Sequence, residues 1–128
     1  DSLPSERTHR MTVELEDLTR RLIEFRDDRD WSQFHGLKNL LVGVSLEAAE
    51  LLELTQWLDD GGVEERLGDD DFRQRLGEEV ADVLIYLLLI CERAGIDPIE
   101  ATRRKIAIND ANYPIEKARG NSRKYTDL

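Results

Sequence analysis

Two pairs of acidic residues, each spaced three apart, are the part of this sequence best suited to chemistry. They are Glu47-Ala-Ala-Glu50 and Glu79-Val-Ala-Asp82. Residues three apart on a helix lie about 60° apart around its axis, with side chains roughly 5–6 Å from each other, so each pair presents two carboxylates on one face. If the two faces pack together, four carboxylates converge and require a cation. Oxygen ligands suit Mg²⁺ or Mn²⁺, so the sequence predicts a metal site at Glu47, Glu50, Glu79 and Asp82.

A pair of acids on a helix more often lies on a solvated face, with no ligand bound. Here Ala48 belongs to an apolar stripe, and Asp82 directly precedes the apolar run from Val83 to Cys91. The acids therefore lie near the edge of a core, where unpaired charge is costly. This position favours metal ligands.

Other catalytic centres fit the sequence less well. A di-iron bundle needs Glu-x-x-His pairs, and neither His9 nor His35 follows a Glu by three residues. A zinc site fails for the same shortage of His and Cys. No motif for a Ser or Cys nucleophile is present, and Gly61-Gly62 has neither the P-loop nor the dinucleotide pattern. Attack by a metal-assisted water remains.

The elements that must position these acids are helices. Apolar residues at spacings of three and four, with Gly and Pro signals between them, predict a four-helix, all-α bundle. Its predicted helices are Val13–Arg26, Leu37–Leu58, Phe72–Ala94 and Pro98–Ala111. The connection from Asp27 to Gly36 is a loop whose aromatic residues suggest a pocket wall. The acidic connection from Asp59 to Asp71 is solvated, with a short helical turn at Val63–Leu67.

The domain plan follows from this pattern. We expect a flexible N-terminus over 1–12, one all-α domain over 13–113, and a basic tail over 114–128 that closes on the site and has an anion as its partner. The run from Val83 to Cys91 is apolar on every side of its helix. In a domain this small, such a helix is usually covered by a second subunit, so we expect a homo-oligomer.

Composition restricts the partners and the compartment. The chain has 128 residues and a formal net charge of -10, which disfavours binding to nucleic acid polymers and anionic membranes. Its one cysteine, Cys91, allows no intrachain disulfide and fits a reducing cytoplasm. No signal-peptide pattern opens the chain, and the longest apolar run is far shorter than the roughly 20 residues that span a bilayer.

Several aromatic and amide side chains are candidates for recognising a nucleobase, although each alone is more often a packing residue. Trp31 and Trp57 have flat rings that can stack on a base, and His35, Asn39 and Asn109 can hydrogen-bond its edge. Tyr86 lies one helical turn past Asp82 and Lys105 lies on helix four, and both are equally ambiguous.

Several motifs in order resemble a known family. They are RDWSQFHGLKNL, the pair Glu47 and Glu50, a 28-residue gap, the pair Glu79 and Asp82 followed by VLIYL, then KIAINxxxYP and the tail EKARGNSRKYTDL. The chain resembles the all-α nucleoside triphosphate pyrophosphohydrolases of the MazG superfamily, most closely the dCTP pyrophosphatase branch, from Val13 to Leu128. One departure is Leu46 and Ala49, where many eukaryotic members have glycine. The carboxylates are retained, so the expected chemistry is too, and the departure bears only on the tightness of helix packing and hence on base preference.

The resemblance implies Mg²⁺-dependent hydrolysis of a nucleoside triphosphate, dCTP or a modified dCTP, to the monophosphate and pyrophosphate, in a tetramer built from dimers. It implies Glu47, Glu50, Glu79 and Asp82 as metal ligands. Its implied pocket residues are Trp31, His35, Trp57, Tyr86, Lys105 and Asn109, and its phosphate contacts are Lys117, Arg119 and Lys124.

Two alternatives stay open at this point. A non-catalytic acidic four-helix module that docks a basic partner would explain the charge and the apolar helix. It would not explain two acid pairs beside aromatic residues and a basic tail. A phosphoribosyl-ATP pyrophosphohydrolase of the same superfamily is the other, and the Trp-containing loop speaks against it. Within the favoured mechanism, Glu50 is assigned the activation of water, with Glu47 as its partner.

Overall fold

The protein is entirely helical over the part of the chain that its computed structural model describes, residues 3–127 without the side chain of residue 8. No strand occurs in that range, which confirms the all-α prediction. The helices are α1 (Pro4–Asp28), α2 (Leu37–Glu53), α3 (Asp60–Arg66), α4 (Asp70–Ala94), α5 (Pro98–Asn112) and α6 (Ile115–Ala118), with 3₁₀ turns at Ser32–Phe34 and Tyr125–Asp127.

Local signals in the sequence account for the main helix boundaries. Gly95 ends α4 in the left-handed conformation, at φ 68°, which glycine adopts without a steric penalty. Asp97 then caps α5, because its Oδ1 accepts hydrogen bonds from the backbone N–H groups of Ile99 and Glu100 at 2.9 and 3.2 Å. Asp59 caps α3 in the same way, through Gly62 N–H at 2.8 Å. Asp59, in the acidic connection, therefore caps a helix in addition to carrying charge.

Two helices differ from their predicted lengths. Helix α1 begins at Pro4 rather than Val13, with proline at a position that needs no N–H donor. Whether residues 1–12 are flexible stays a prediction, and residues 1 and 2 lie outside the described range. Helix α2 ends at Glu53 rather than Leu58, because the following turn tightens: Thr55 N–H donates to Leu52 O, and Leu58 N–H to Thr55 O.

The central helix is α4, which packs against both α2 and α1. The most deeply buried side chains come from α2 and α4, as their apolar stripes predict. They are Leu40, Phe72, Leu88 and Leu89. Because α2 and α4 each carry one acid pair, this packing decides whether the pairs meet.

A glycine lets α2 and α4 approach closely. Gly43 on α2 faces the ring of Tyr86 on α4, and a Cβ built on Gly43 would lie 2.3 Å from Tyr86 Cε1 and 2.7 Å from Cζ. Real Cβ atoms essentially never come so close, so the ring occupies the space that any other side chain needs. Tyr86 is thus a packing residue at the α2–α4 contact as well as a candidate for the site.

Several apolar side chains of α4 remain exposed. Val80, Leu84 and Leu87 are 48%, 43% and 44% exposed, although they flank or belong to the all-apolar part of the helix. The prediction that a second subunit covers this helix is consistent with this exposure and stays a prediction.

The chain divides into two compact units between Gly95 and Ile96. The first holds α1 to α4. The second holds α5, which the sequence pattern groups with the other long helices, together with α6 and the tail. Within the second unit, Tyr113 and Tyr125 meet edge to face with centroids 6.1 Å apart. None of the described helices is both long and apolar enough to cross a membrane.

The contact at Gly43 leads to a prediction with a matched control. Gly43→Ala should lower the free energy of unfolding by about 1–3 kcal/mol, because the new methyl group overlaps the Tyr86 ring. Gly77→Ala on α4 should instead raise it by about 0.5–1 kcal/mol, because a Cβ at that position meets nothing within 4 Å and alanine favours helix. Urea unfolding of both variants measures the difference. Equal stabilities would contradict the close approach.

Candidate functional site

Three of the four predicted ligands form one cluster. Carboxylate oxygens of Glu47 and Glu50 on α2 and of Glu79 on α4 all lie within 4.8 Å of one another. The spacing of three places Glu47 and Glu50 on one face of α2, and the packing of α2 on α4 brings Glu79 against them. Three of the four carboxylates of the two acid pairs therefore converge.

Asp82, the fourth predicted ligand, is outside that cluster. It is exposed on α4, one turn after Glu79. Its charge nevertheless acts on the cluster, since it helps to raise the pKa of both Glu47 and Glu79. Its role as a ligand stays a prediction.

Ionising the carboxylates of this cluster costs free energy. Burial raises the pKa of Glu47, helped by a hydrogen bond to Glu50 and by the charges of Glu50, Asp82 and Glu79. Burial also raises the pKa of Glu79, followed by the charges of Glu50 and Asp82. One oxygen of each residue, Oε2 of Glu47 and Oε2 of Glu79, is buried with no hydrogen-bond partner. Buried acceptors are normally paired.

These features fit a divalent cation. Carboxylates that repel one another and leave buried oxygens unpaired are relieved when a cation binds among them. The donor set is all oxygen, as Mg²⁺ and Mn²⁺ prefer. An exposed acidic cluster alone would carry less weight, and the two buried, unpartnered oxygens are what point to a ligand here.

An apolar cavity of about 300 Å³ lies in the same unit. It brings together three predicted pocket residues, Trp31, His35 and Tyr86. Its other walls are Leu22, Phe25, Arg26, Ile85 and Leu89. A mostly apolar cavity with a few polar groups is typical of a site for a small organic ligand. A second apolar depression of about 400 Å³ between α1 and α4 contains no predicted site residue.

The loop after α1 positions Trp31 and His35. The backbone N–H of Trp31 donates to Arg26 O at 3.0 Å, and the Trp31 ring meets the edge of Phe25 with centroids 5.7 Å apart. The 3₁₀ turn follows, in which His35 N–H donates to Ser32 O at 3.1 Å. Asn39 then fastens the turn to α2.

Asn39 is a predicted substrate contact, and the structure gives its amide a structural partner. Its Nδ2 donates to Phe34 O at 3.1 Å, across the start of α2. This bond holds the 3₁₀ turn against the helix that follows it. Substrate binding by Asn39 stays a prediction.

The remaining predicted binding residues are Trp57 and five residues of the second unit. Trp57 lies in the turn after α2, is 89% exposed, and is not one of the described residues that line the cavity. The rest belong to the second unit and are exposed there, so their binding roles stay predictions: Lys105, Asn109, Lys117, Arg119 and Lys124.

Glu53 and Arg26 are among the residues at the site that the sequence did not predict. Glu53 contributes to the raised pKa of Glu79, and its signal was present, since it continues the spacing of three after Glu47 and Glu50. Arg26 lines the cavity beside His35, although it looked like an ordinary charged residue near the end of an amphipathic helix. No spacing in the sequence distinguishes it.

Comparison with known proteins shows the family of this chain. The MazG-like family matches residues 42–128. Human dCTP pyrophosphatase 1 is 44% identical over 114 residues, which cover 89% of this chain and 67% of the human protein. The rat protein of the same name is 41% identical over the same shares. The crystal structure of a pyrophosphatase from Archaeoglobus fulgidus aligns with a TM-score of 0.74 at 46% identity, over 79% of this chain and 93% of its own. The chain therefore belongs to the MazG-like family, as its motifs indicated.

Proposed function

We propose that this protein hydrolyses dCTP, or a dCTP with a modified base, to the monophosphate and pyrophosphate, and so clears the nucleotide pool. The observation that carries the proposal is the cluster of Glu47, Glu50 and Glu79 with its buried, unpaired oxygens. The same unit also contains an aromatic cavity. The relatives named dCTP pyrophosphatase 1 support the reaction and the base.

The carboxylates would hold the metal, Mg²⁺ or alternatively Mn²⁺. Glu47, Glu50 and Glu79 are its proposed ligands, and Asp82 completes the set from the next turn of α4. When bound, such an ion would neutralise the charge of the triphosphate and the charge that develops on the leaving pyrophosphate. The protein's own part is to keep these carboxylates close together before the ion arrives.

Glu50 is the proposed base, with Glu47 beside it. In this mechanism the oxygen of a water attacks the α-phosphorus, the bond from that phosphorus to the αβ-bridging oxygen breaks, and the water proton passes to the Glu50 carboxylate. Glu50 is exposed, so water reaches it, whereas the less exposed Glu47 and Glu79 are better placed to stay as ligands. Pyrophosphate leaves with the bridging oxygen.

The base is proposed to enter the cavity lined by Trp31, His35 and Tyr86, whose aromatic rings suit stacking and whose imidazole suits a hydrogen bond. Trp57, Asn39, Lys105 and Asn109 remain proposed contacts to the nucleoside. The basic residues of the tail over 114–128 remain proposed phosphate contacts: Lys117, Arg119 and Lys124.

The assembly is proposed to be a homo-oligomer, a dimer or a tetramer, because exposed apolar side chains of α4 need cover. We also expect the protein in the cytoplasm, where Cys91 stays reduced. The acidic docking module is not retained, since it accounts for neither the relatives nor the buried unpaired oxygens.

The reaction is tested by its products. Purified protein with Mg²⁺ and a panel of canonical and modified nucleoside triphosphates should release monophosphate and pyrophosphate, separated by ion exchange from phosphate. Cytosine deoxynucleotides should be turned over fastest, and a chelator should abolish the reaction. Release of phosphate instead of pyrophosphate, or no turnover by folded protein with metal present, would reject the proposal.

The metal ligands are tested by variants read out in two ways. Glu79→Gln and Glu50→Gln should each lower kcat by roughly 100-fold or more while leaving the circular dichroism spectrum unchanged. Glu64→Gln, on the exposed face of α3, should behave like the parent protein. A Glu79→Gln protein with parental activity would exclude that residue from the centre.

The raised pKa values predict a stability change that needs no substrate. Because Glu47 and Glu79 bind protons more tightly in the folded state, metal-free protein should lose stability as the pH rises past their ordinary range. At neutral pH, Mg²⁺ should raise Tm of the parent protein. Metal-free Glu79→Gln should have a higher Tm than the metal-free parent, and should respond less to Mg²⁺. Differential scanning fluorimetry with Glu64→Gln as control measures both, and an unchanged metal response in Glu79→Gln would contradict the assignment.

A further inference from the structure

An ion pair joins the C-terminal end of α1 to α4. Nη1 of Arg26 lies 3.5 Å from Oε2 of Glu92, and the two side chains are 15% and 35% exposed. Nε of Arg26 also donates to Oδ1 of Asp27 at 3.0 Å. By contrast, the pair of Arg20 and Asp17 lies within α1 and is more exposed. A pair between two helices that is partly removed from water limits how far the end of one helix can move from the other.

The last turn of α1 also holds the segment that follows it. The Arg26 carbonyl accepts the backbone N–H of Trp31 at 3.0 Å, and the Phe25 ring meets the Trp31 ring with centroids 5.7 Å apart. Arg29 packs on the same end, since its guanidinium lies 3.6 Å from the centroid of the Phe25 ring and its Nη1 donates to Phe25 O. Trp31 therefore contacts α1 through its backbone and its ring, and it follows any movement of this end of the helix.

The cavity lies between the elements that the ion pair joins. Arg26 and Trp31 line it from the side of α1 and the turn, and Tyr86 and Leu89 line it from α4. Glu92 follows Leu89 by three residues, so it lies on the same face of α4 one turn further along. Glu92 itself is not one of the described residues that line the cavity. The pair therefore ties two walls of the cavity together from outside it.

The wall that carries Trp31 is only partly buried. Trp31 and Phe25 are 44% and 47% exposed, although both line the cavity. Asp30, just before Trp31, has a φ of 53°, in the left-handed region that residues other than glycine adopt at a cost. Asn39 holds the far end of the turn to α2 through Phe34 O, so the position of the near end depends on α1. Such a segment needs an added restraint to be ordered before a ligand binds.

We propose that Glu92 is a positioning residue for the nucleobase: through Arg26 it holds the turn with Trp31 against α4, so that the cavity is formed before the nucleotide arrives. A wall that is already ordered in the free protein lowers the entropic cost of binding the base. The carboxylate cluster comes from α2 and α4 and does not involve α1, so the pair acts on the base and not on the metal or the triphosphate. The inference rests on the proposed function in taking a nucleobase as the ligand of the cavity.

The test compares a ligand that has a base with one that has none. Calorimetry in the presence of Mg²⁺ would measure the binding of dCMP and of inorganic tripolyphosphate, which has no group for the cavity. Glu92→Ala should weaken dCMP binding roughly three- to tenfold, the range expected when a side chain must be ordered on binding, and should leave tripolyphosphate binding unchanged. In dCTP turnover, KM should rise by a similar factor while kcat stays within about twofold of the parent value. Equal weakening of both ligands would indicate a general loss of structure and would overturn the inference.

Further variants test whether Glu92 acts through Arg26. Arg26→Ala should weaken dCMP binding as Glu92→Ala does, and the double variant should bind no more weakly than either single variant, because the two side chains act as a unit. Arg26→Lys keeps the positive charge and should retain most of the affinity. Asp17→Ala breaks the exposed pair with Arg20 and should behave like the parent protein. Additive effects in the double variant would mean that Glu92 acts independently of Arg26, contrary to the inference.

The position of Trp31 can be followed without any ligand. In a Trp57→Phe background, Trp31 is the only tryptophan of the chain, so acrylamide quenching of the emission reports its accessibility alone. Adding Glu92→Ala to this background should increase the quenching constant, because the turn moves away from α4. Adding Asp17→Ala should leave the constant unchanged. A loss of thermal stability in Glu92→Ala with unchanged quenching and unchanged dCMP binding would reduce the pair to a structural role.

The outcomes also distinguish this inference from the proposed function. Weaker dCMP binding and a more accessible Trp31 in Glu92→Ala would support the inference even if the protein hydrolysed no triphosphate. A Glu92→Ala protein with parental dCMP binding and parental quenching would overturn it even if dCTP is hydrolysed. A parent protein that binds tripolyphosphate but not dCMP would reject the cavity as the site of the base, and the inference with it.

Discussion

The close contact between α2 and α4 is the constraint on which the site depends. Each helix brings acidic residues, and neither could form a metal centre alone. The contact is possible because Gly43 leaves room for the Tyr86 ring, as a Cβ there would lie 2.3 Å from the nearest ring atom. The hydrophobic burial of Leu40, Leu88 and Leu89 drives the same two helices together. Burial of apolar surface thus supplies the free energy needed to hold like charges 4.8 Å apart or closer.

The carboxylate cluster and the cavity of the first unit differ in charge and polarity. The carboxylate cluster concentrates negative charge and leaves two oxygens unpaired, a state that a bound cation would relieve. The cavity is mostly apolar and contains a single guanidinium that is already neutralised by Glu92 and Asp27. In the proposed function, one region would attract the charged part of a nucleotide through a metal, and the other would accept the uncharged base. Tyr86 connects the α2–α4 contact with the cavity, since it packs on α2 at Gly43 and lines the cavity.

The turn from Trp31 to His35 shows how a short segment is fixed without regular structure. Its backbone is held at one end by the Arg26 carbonyl and at the other by the Asn39 amide, which binds Phe34 O at 3.1 Å. Arg29 lies 3.6 Å above the Phe25 ring, whose edge in turn meets Trp31. These local contacts turn two aromatic side chains and an imidazole toward one cavity and limit their freedom before a ligand binds, which lowers the entropic cost of binding.

Much of this protein follows from its sequence by local physics. The helices of the first unit, the caps at Asp97 and Gly95 and the pairing of the acids by threes all depend on residues within one turn of each other, so periodicity and capping rules predict them. The all-α family was recognisable for the same reason, because its motifs are local strings. The end of α2 at Glu53 could not be predicted from the sequence, because a helix boundary depends on a few weak hydrogen bonds that helix propensity does not rank.

The tertiary structure decided what depends on contacts between distant residues. It put Glu79, but not Asp82, within 4.8 Å of the first acid pair, although both acids share the same motif. It left Trp57 exposed while Trp31 lines a cavity, a distinction that identical side chains in a sequence do not reveal. It also joined Arg26 to Glu92 and His35, three residues on different elements with no spacing in common. Residue types determine which interactions are available, and only the packing of α1, α2 and α4 selects the distances at which electrostatic and hydrogen-bond energies act.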